Sequence, residues 1–184
     1  MAPIRSLKPN VTREQAIQQF CPRGPTALFR NVAFGRLRSV ADLYIPFRLF
    51  RVQITNRGVT EDRLVALDAV SGTLDLYQFD HPPTEAETIW LETRNRPLPQ
   101  LPDAVAAEQV VAKLRRILYS RGFFKMRSLQ ITALPLEDDL HIPYWLGFRG
   151  SDARARLSVI DAVRRSLEGA KVRRLVETWL AANS

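Results

Sequence analysis

The chain has 184 residues, of which 46% are apolar and 25% charged, a balance typical of folded proteins rather than disordered ones. A chain of this length buries roughly 70% of the surface that its unfolded form exposes, enough for one large core or two small ones. Its 27 Lys and Arg residues against 19 Asp and Glu give a net charge of +8, and its one cysteine excludes an internal disulfide.

Residues 1–15 contain no apolar stretch of the kind that a secretory signal requires. No segment of the chain approaches the ~20 apolar residues that cross a bilayer as a helix. We therefore expect no membrane span and a cytoplasmic location. An extracytoplasmic location is expected only if a leader has been removed.

Basic residues are concentrated at the N-terminal end. Residues 1–60 hold ten basic and two acidic residues, whereas residues 61–184 hold 17 of each. Such an asymmetry can mark a surface that binds phosphates, acidic lipid or an acidic protein. An ordinary solvated face in an arginine-rich chain is the simpler interpretation, because Arg outnumbers Lys 23 to 4.

The first predicted element is a short helix. Thr12 and Gln15 have the spacing of a capping box, and Pro22 predicts that the helix ends before it. Residues 28–54 are rich in β-branched and aromatic side chains, which favour strands. Within them, Pro46 has no N–H for a ladder and is expected at a strand start or on an edge.

Two turn signals follow in the first half. Asn56-Arg57-Gly58 predicts a turn, and residues 63–69 predict a strand after it. Ser71-Gly72 then predicts a tight hairpin that leads directly into a strand at residues 73–77.

Residues 81–102 contain five of the twelve prolines and predict an extended crossover linker on the surface. Within it, Trp90 is expected to dock into the fold. A longer helix is predicted after Asp103, with an apolar face formed by Val111, Leu114, Ile117 and Leu118.

The remaining elements of the second half are strands and a terminal helix. A strand is predicted from Lys125 to Leu136. At residues 169–182, apolar side chains recur with helical spacing and predict a C-terminal helix with one buried stripe.

The order of elements and two sequence matches predict an internal duplication. Residues 139–144 match residues 42–47 at four of six positions, and residues 156–163 match residues 63–70 at five of eight. The predicted fold is therefore α+β, with duplicated α-β-β-β units, an antiparallel sheet and a C-terminal helix. We assign residues 11–80 to the first copy and residues 103–184 to the second.

Residues 65–74, which read VALDAVSGTL, resemble the hairpin of PepSY-type domains, where a strand ends in an Asp-Ala turn and a second strand follows. Those domains combine a helix with a small curled antiparallel sheet, as cystatin-like proteins do. The resemblance implies a non-catalytic binding or inhibitory module and no catalytic residues. The second copy departs from it, with Arg164-Arg165 where the first has Ser71-Gly72.

The residues suited to chemistry are sparse. His81 and His141 are sixty residues apart, and although Asp139 precedes His141 closely, a turn cap explains this Asp more simply than a metal site. Cys21 is expected to be buried and inert. Asp68 and Asp161, which are equivalent in the two copies, can form a carboxylate pair, but a structural role in each turn is the simpler interpretation. We predict no metal and no cofactor.

Aromatic and arginine residues interleave in the first copy, a combination that stacks bases and holds phosphates. The segments are Phe29-Arg30, Phe34 to Arg38, Phe47-Arg48 and Phe50-Arg51. Strand alternation, with aromatics inward and arginines outward, is the competing interpretation. The candidate binding residues are Arg36, Arg38, Arg48, Arg51, Tyr144 and Trp145, of which the last two are expected either to pack in the core or to line an aromatic groove.

The sequence thus favours a non-catalytic binding, regulatory or scaffold protein that engages a protein or peptide through a sheet face, a groove or an edge strand. A sheet edge also permits a homodimer. The alternatives are a binder of nucleic acid or another anionic surface that uses the arginine-rich first copy and, last, an enzyme with a cleft between the copies.

Overall fold

The computed structural model describes residues 2–21, 35–120, 129–150 and 156–183, without the side chains of residues 137 and 138. The predictions made for Pro22, for residues 28–34 and for the strand start at Lys125 lie outside the described residues. The described elements are β1 (Ile4–Leu7), α1 (Arg13–Phe20), β2 (Leu37–Asn56), β3 (Val59–Asp68), β4 (Tyr77–Phe79), β5 (Thr88–Leu91), α2 (Asp103–Ser120), β6 (Gln130–Arg149), β7 (Arg156–Asp161), β8 (Ser166–Leu167) and α3 (Ala170–Ala182).

The protein is α+β, with a mostly antiparallel sheet and a C-terminal helix, as predicted. Successive neighbours in the strand order are β4, β3, β2, β6, β1 and β5, while β7 pairs with β6 and β8 pairs with β7. The chain-adjacent pairs β2–β3, β3–β4, β6–β7 and β7–β8 are antiparallel.

The chain divides into two compact units whose segments are not contiguous in sequence. The first unit comprises Met1–Ile45, Ile89–Pro97 and Ile142–Ser184, and the second comprises Pro46–Thr88 and Leu98–His141. Each unit therefore draws on residues from both sides of the predicted linker.

The core of the second unit lies between α2 and the β2–β3 hairpin. Its members are Phe50, Val52, Ile54, Val65, Leu67, Leu76, Ala106, Val110, Leu114 and Leu118. The helical members recur every four residues, so that they form one stripe along α2. The stripe runs through Val110, while Val111 and Ile117, predicted to lie on it, are only half-buried.

The core of the first unit contains α1. Ala16 and Phe20 are buried with Val11, Ile160 and Ala162. The predicted capping box is confirmed: the Gln15 amide donates to the Thr12 hydroxyl (3.3 Å), and the Thr12 amide donates to the Gln15 side chain (3.0 Å). The helix therefore begins where the sequence indicated.

The predicted turn at Asn56-Arg57-Gly58 is also confirmed. Arg57 and Gly58 have φ values of 51° and 80°, and Asn56 pairs with Val59, which makes this a two-residue hairpin of type I′. The prediction of a tight hairpin after residue 68 is wrong in length, because the next strand begins at Tyr77 instead of residue 73. The intervening backbone bonds to the Asp68 carboxylate instead of to a ladder.

Pro46 lies inside the 20-residue strand β2 and not at a strand start or an edge, contrary to the prediction. The ladder between β2 and β3 starts at the next residue, where Phe47 pairs with Asp68, the last residue of β3. Because Pro46 precedes this ladder, the N–H that proline lacks is not needed for pairing with β3.

Three short strands, β1, β5 and β8, were not predicted. Residues 88–91 of the predicted linker form β5, and Trp90 within it is 70% exposed, so the prediction that Trp90 docks into the fold is wrong. The strand is held by backbone pairing, which does not require its largest side chain to be buried.

The predicted C-terminal helix is confirmed as α3, with Gly169 as its N-cap. Val172, Leu175 and Val176 are buried, and α3 packs on β7 within the first unit. In the described part of the chain, no helix combines the length and apolar character needed to cross a membrane.

Candidate functional site

The basic charge of the protein belongs to one compact unit. By sequence, the first unit holds 17 basic and seven acidic residues, and the second holds ten basic and 12 acidic. The net charges are +10 and −2, which sum to the +8 of the chain. The basic unit therefore differs from the basic segment at residues 1–60 in the sequence, because Arg48, Arg51 and Arg57 of that segment belong to the second unit.

The four candidate arginines are in different environments. Arg36, Arg38 and Arg51 are exposed, but Arg48 is largely buried and forms ion pairs with Asp103 and Asp139. Arg48 also donates to the carbonyl of Leu101, which precedes α2 (3.1 Å). Its guanidinium therefore joins β2 to the start of α2 and is not presented to a partner.

The candidate aromatic residues pack in the core. Phe47, Phe50 and Tyr144 are at most 2% exposed. Trp145 is half-buried and donates its indole N–H to the carbonyl of Val11 (2.8 Å). Among the described residues, the interleaved segments therefore form no stacking platform, and they do not follow simple strand alternation either, because Phe47 and Phe50 are both buried although they lie on opposite faces of β2. Phe29-Arg30 and Phe34 lie outside the description.

Asp68 and Asp161 are fully buried and bind the backbone of their own turns. One oxygen of Asp68 accepts from the amides of Ser71 (2.7 Å) and Gly72 (2.9 Å), and the other accepts from the amide of Leu74 (2.8 Å). Asp161 accepts from the two amides that follow at residues 163 and 164, both at 2.8 Å. Because these oxygens are committed to N–H groups, each aspartate is a structural anchor of its turn.

The metal candidates do not converge. Asp139 accepts from Arg48 (3.4 Å), and His141 is buried within β6. No group of three or more His, Cys, Asp or Glu side chains is gathered anywhere in the described ranges.

Cys21 is exposed, and the prediction that it is buried is wrong. It is the C-cap residue of α1, and its amide donates to the Ile17 carbonyl (2.8 Å). The cation there is Arg149, which is 3% exposed and donates to the carbonyls of Phe20 and Gly35 (3.1 Å to Gly35). A positive charge at the negative end of a helix dipole is stabilising, so Arg149 has a structural role that the sequence did not reveal.

The exposed surface of the first unit contains one feature typical of partner recognition. β5 is last in the strand order, so that among the described strands only β1 pairs with it. Trp90 therefore places a large, exposed amphipathic side chain on a strand that has one neighbouring strand in the described part of the sheet.

Comparison with protein-family models, with curated proteins and with solved structures finds no match. The function of this chain must therefore be inferred from its own geometry.

Asp42, Tyr44 and Asn95 form a polar cluster in the first unit. Asn95 donates to the Asp42 carboxylate (2.9 Å), and the Tyr44 amide donates to the Asn95 carbonyl (2.9 Å). Burial, together with the nearby Asp42 carboxylate, raises the pKa of Tyr44 above the ordinary tyrosine value of about 10.

The raised pKa of Tyr44 predicts a pH-dependent stability. The folded state holds the Tyr44 hydroxyl proton more tightly than the unfolded state does. The stability that this proton contributes is therefore complete below the unfolded pKa of about 10 and is lost as the pH rises above that value. Urea unfolding of wild type and Tyr44→Phe across alkaline pH measures this, with Tyr119→Phe as the matched exposed control. If wild type and Tyr44→Phe lose stability in parallel as the pH rises, the pH dependence does not come from Tyr44.

Proposed function

We propose that the protein is a non-catalytic binding protein that captures an extended segment of a partner along the edge of β5. The observation that carries this proposal is the exposure of Trp90 on the terminal strand of the order. A partner strand would use the backbone groups of β5, and Trp90 would provide the apolar anchor, since tryptophan is enriched in binding hot spots.

The charge of the first unit indicates the chemistry of the partner. Residues 89–97 belong to the unit of net charge +10, and the charged residues that follow β5 in this segment, Glu92, Arg94 and Arg96, sum to +1. Electrostatic complementarity favours an acidic segment and speeds its association. We therefore propose an acidic extended peptide as the occupant.

The test is a selection from a library of random peptides displayed on phage. We expect the selected peptides to combine acidic residues with an apolar side chain, and Trp90→Ala to weaken their binding by about tenfold or more. Leu167→Ala is the control, because Leu167 is also an exposed apolar residue on a strand of the first unit.

Bound peptide should also slow hydrogen exchange at the amides of residues 89–91, as strand addition requires. Peptides that bind Trp90→Ala as tightly as wild type would contradict the edge as the binding site. Concentration-dependent self-association that Trp90→Ala abolishes would instead assign the edge to a homodimer.

A second candidate is a nucleic-acid binder, which the 17 basic residues of the first unit favour. Such a protein would retain DNA or RNA during purification and release it steeply as salt increases. Its binding would be insensitive to Trp90→Ala, which separates it from peptide capture.

We also infer that the chain arose by duplication of an α-β-β-β unit. The supporting register is shared: Phe47 pairs with Asp68, and Tyr144, its sequence equivalent, pairs with Asp161. Two hydrogen bonds of the first copy have equivalents in the second. The bond from Ala69 N to Pro46 O (2.8 Å) corresponds to that from Ala162 N to Pro143 O (3.0 Å). The bond from the Arg48 side chain to Leu101 O (3.1 Å) corresponds to that from the Trp145 side chain to Val11 O (2.8 Å). The resemblance of residues 65–74 to PepSY-type domains stays a prediction.

A further inference from the structure

A pocket of about 350 Å³ lies against the exposed face of α1 in the first unit. Its walls are Val11, Gln15, Gln18, Gln19 and Arg165. The three glutamines occur at i, i+3 and i+4 and therefore share one face of the helix, opposite the buried Ala16 and Phe20. The volume suits a small molecule.

The polar groups of this pocket include donors that are not engaged elsewhere in the described structure. The Gln15 side-chain oxygen accepts from the Thr12 amide, which leaves its NH₂ group available. Within the described part of the chain, Gln18, Gln19 and the Arg165 guanidinium make no side-chain hydrogen bond or ion pair. No carboxylate is among the described lining residues. The described lining thus offers N–H donors from three glutamines, the amide oxygens of Gln18 and Gln19, and one positive charge.

Arg165 occupies a backbone position that suits glycine better. Its φ of 59° is left-handed, a conformation that costs a residue with a Cβ atom roughly 1–2 kcal/mol. In the turn of Asp68, the residue at the same distance from the aspartate is Gly72, with a φ of 68°. The fold therefore accepts glycine at this position of the turn, and an arginine is retained there despite the strain.

The turn that carries Arg165 is fastened to the segment preceding α1. The Asn10 amide donates to the Ala162 carbonyl (2.7 Å), and the Asn10 side chain donates to the Val163 carbonyl (2.9 Å). The Arg165 amide donates to the Asp161 carbonyl (2.9 Å). These bonds fix the backbone of the turn from which the Arg165 side chain lines the pocket.

We propose that this pocket binds a small ligand through an oxyanion group, a carboxylate or a phosphate. The planar guanidinium of Arg165 matches both groups with two parallel N–H donors, and the glutamine amides add neutral donors around them. The strain at Arg165 is retained because glycine would remove the charged contact. This site is independent of the β5 edge.

The test titrates the full chain with inorganic phosphate and with acetate, against chloride at the same ionic strength, and follows backbone amide resonances. We expect saturable shifts at residues 15–19 and 165 for phosphate, acetate or both. Arg165→Gly should abolish them while leaving the thermal midpoint unchanged or raised. Arg173→Ala removes the same charge from an exposed position on α3, outside the pocket, and should retain binding.

Each outcome decides the proposal. Saturation by phosphate alone assigns a phosphate ligand, and saturation by acetate alone assigns a carboxylate ligand. Shifts that chloride reproduces, or that Arg173→Ala reduces as much as Arg165→Gly does, would show only general screening of a basic surface and overturn it. A fall in the thermal midpoint of Arg165→Gly would overturn the inference that the arginine is kept for a ligand.

Discussion

Cleavage of the chain between Asp80 and His81 is expected to leave its two fragments bound to each other as one folded species. Both residues are exposed, and a protease recognition sequence can be inserted between them. The expectation follows from the composition of the two compact units, because each contains segments from both fragments.

The contacts that hold the fragments together are core contacts. In the second unit, Val110 and Leu114 of α2 pack against Phe50 and Val65 of the β2–β3 hairpin. Burial of one such side chain contributes about 1.5–3 kcal/mol. In the first unit, Phe20 of α1 is buried with Ile160 and Ala162. Cleavage removes a chain connection and leaves these contacts in place.

The cleaved protein should elute in size-exclusion chromatography at the position of the intact chain and separate only in denaturant. Residues 1–80 and 81–184, expressed alone, should each lack cooperative unfolding. The uncleaved insertion variant is the control for the inserted sequence. Two separate, folded fragments after cleavage would contradict the exchange of segments between the halves.

Asp68→Ala is expected to lower the free energy of unfolding by about 3–5 kcal/mol, a large effect for the exchange of a single polar side chain. The alanine leaves the amides of the half-buried Ser71 and the buried Leu74 without an acceptor, whereas the Gly72 amide keeps the backbone carbonyl of residue 68 (3.2 Å). Buried N–H groups without a partner each cost about 1–3 kcal/mol, and these costs do not add fully.

Urea unfolding measures this effect, and Asp62→Ala is the matched control. Asp62 is an exposed aspartate of the same unit whose side chain accepts only a long bond from Gln53 (3.4 Å). Its removal should change stability by less than about 0.5 kcal/mol. Equal stability of the two variants would show that the Asp68 turn does not depend on its carboxylate.

Features of the sequence that act over short distances predicted the structure well. The capping box of Thr12 and Gln15 and the turn at Arg57-Gly58 are formed by neighbouring residues, and their partners are visible in the sequence. The helical stripe of α3 was equally clear, since the spacing of Val172, Leu175 and Val176 alone defines a face. Such signals do not depend on the rest of the fold.

Features that depend on distant segments were missed. Arg149 binds the end of α1 across 129 positions of sequence, and no local pattern indicates that partner. The four residues of β5 are too few to show the alternation of apolar and polar side chains that identifies a strand. The exposure of Trp90 depends on which strand lies beside β5. In the sequence, the strain at Arg165 was visible only as a mismatch with Gly72 when residues 156–165 are matched to residues 63–72.

The interleaving of segments in the two units has a consequence for synthesis on the ribosome. The second unit contains residues 98–141, and the first contains residues 142–184, so neither is complete when the β2–β3 hairpin has emerged. The apolar face of that hairpin, which includes Phe50 and Val65, becomes covered only after α2 has left the exit tunnel. We therefore expect the nascent first half to expose this apolar face to solvent until α2 has been translated.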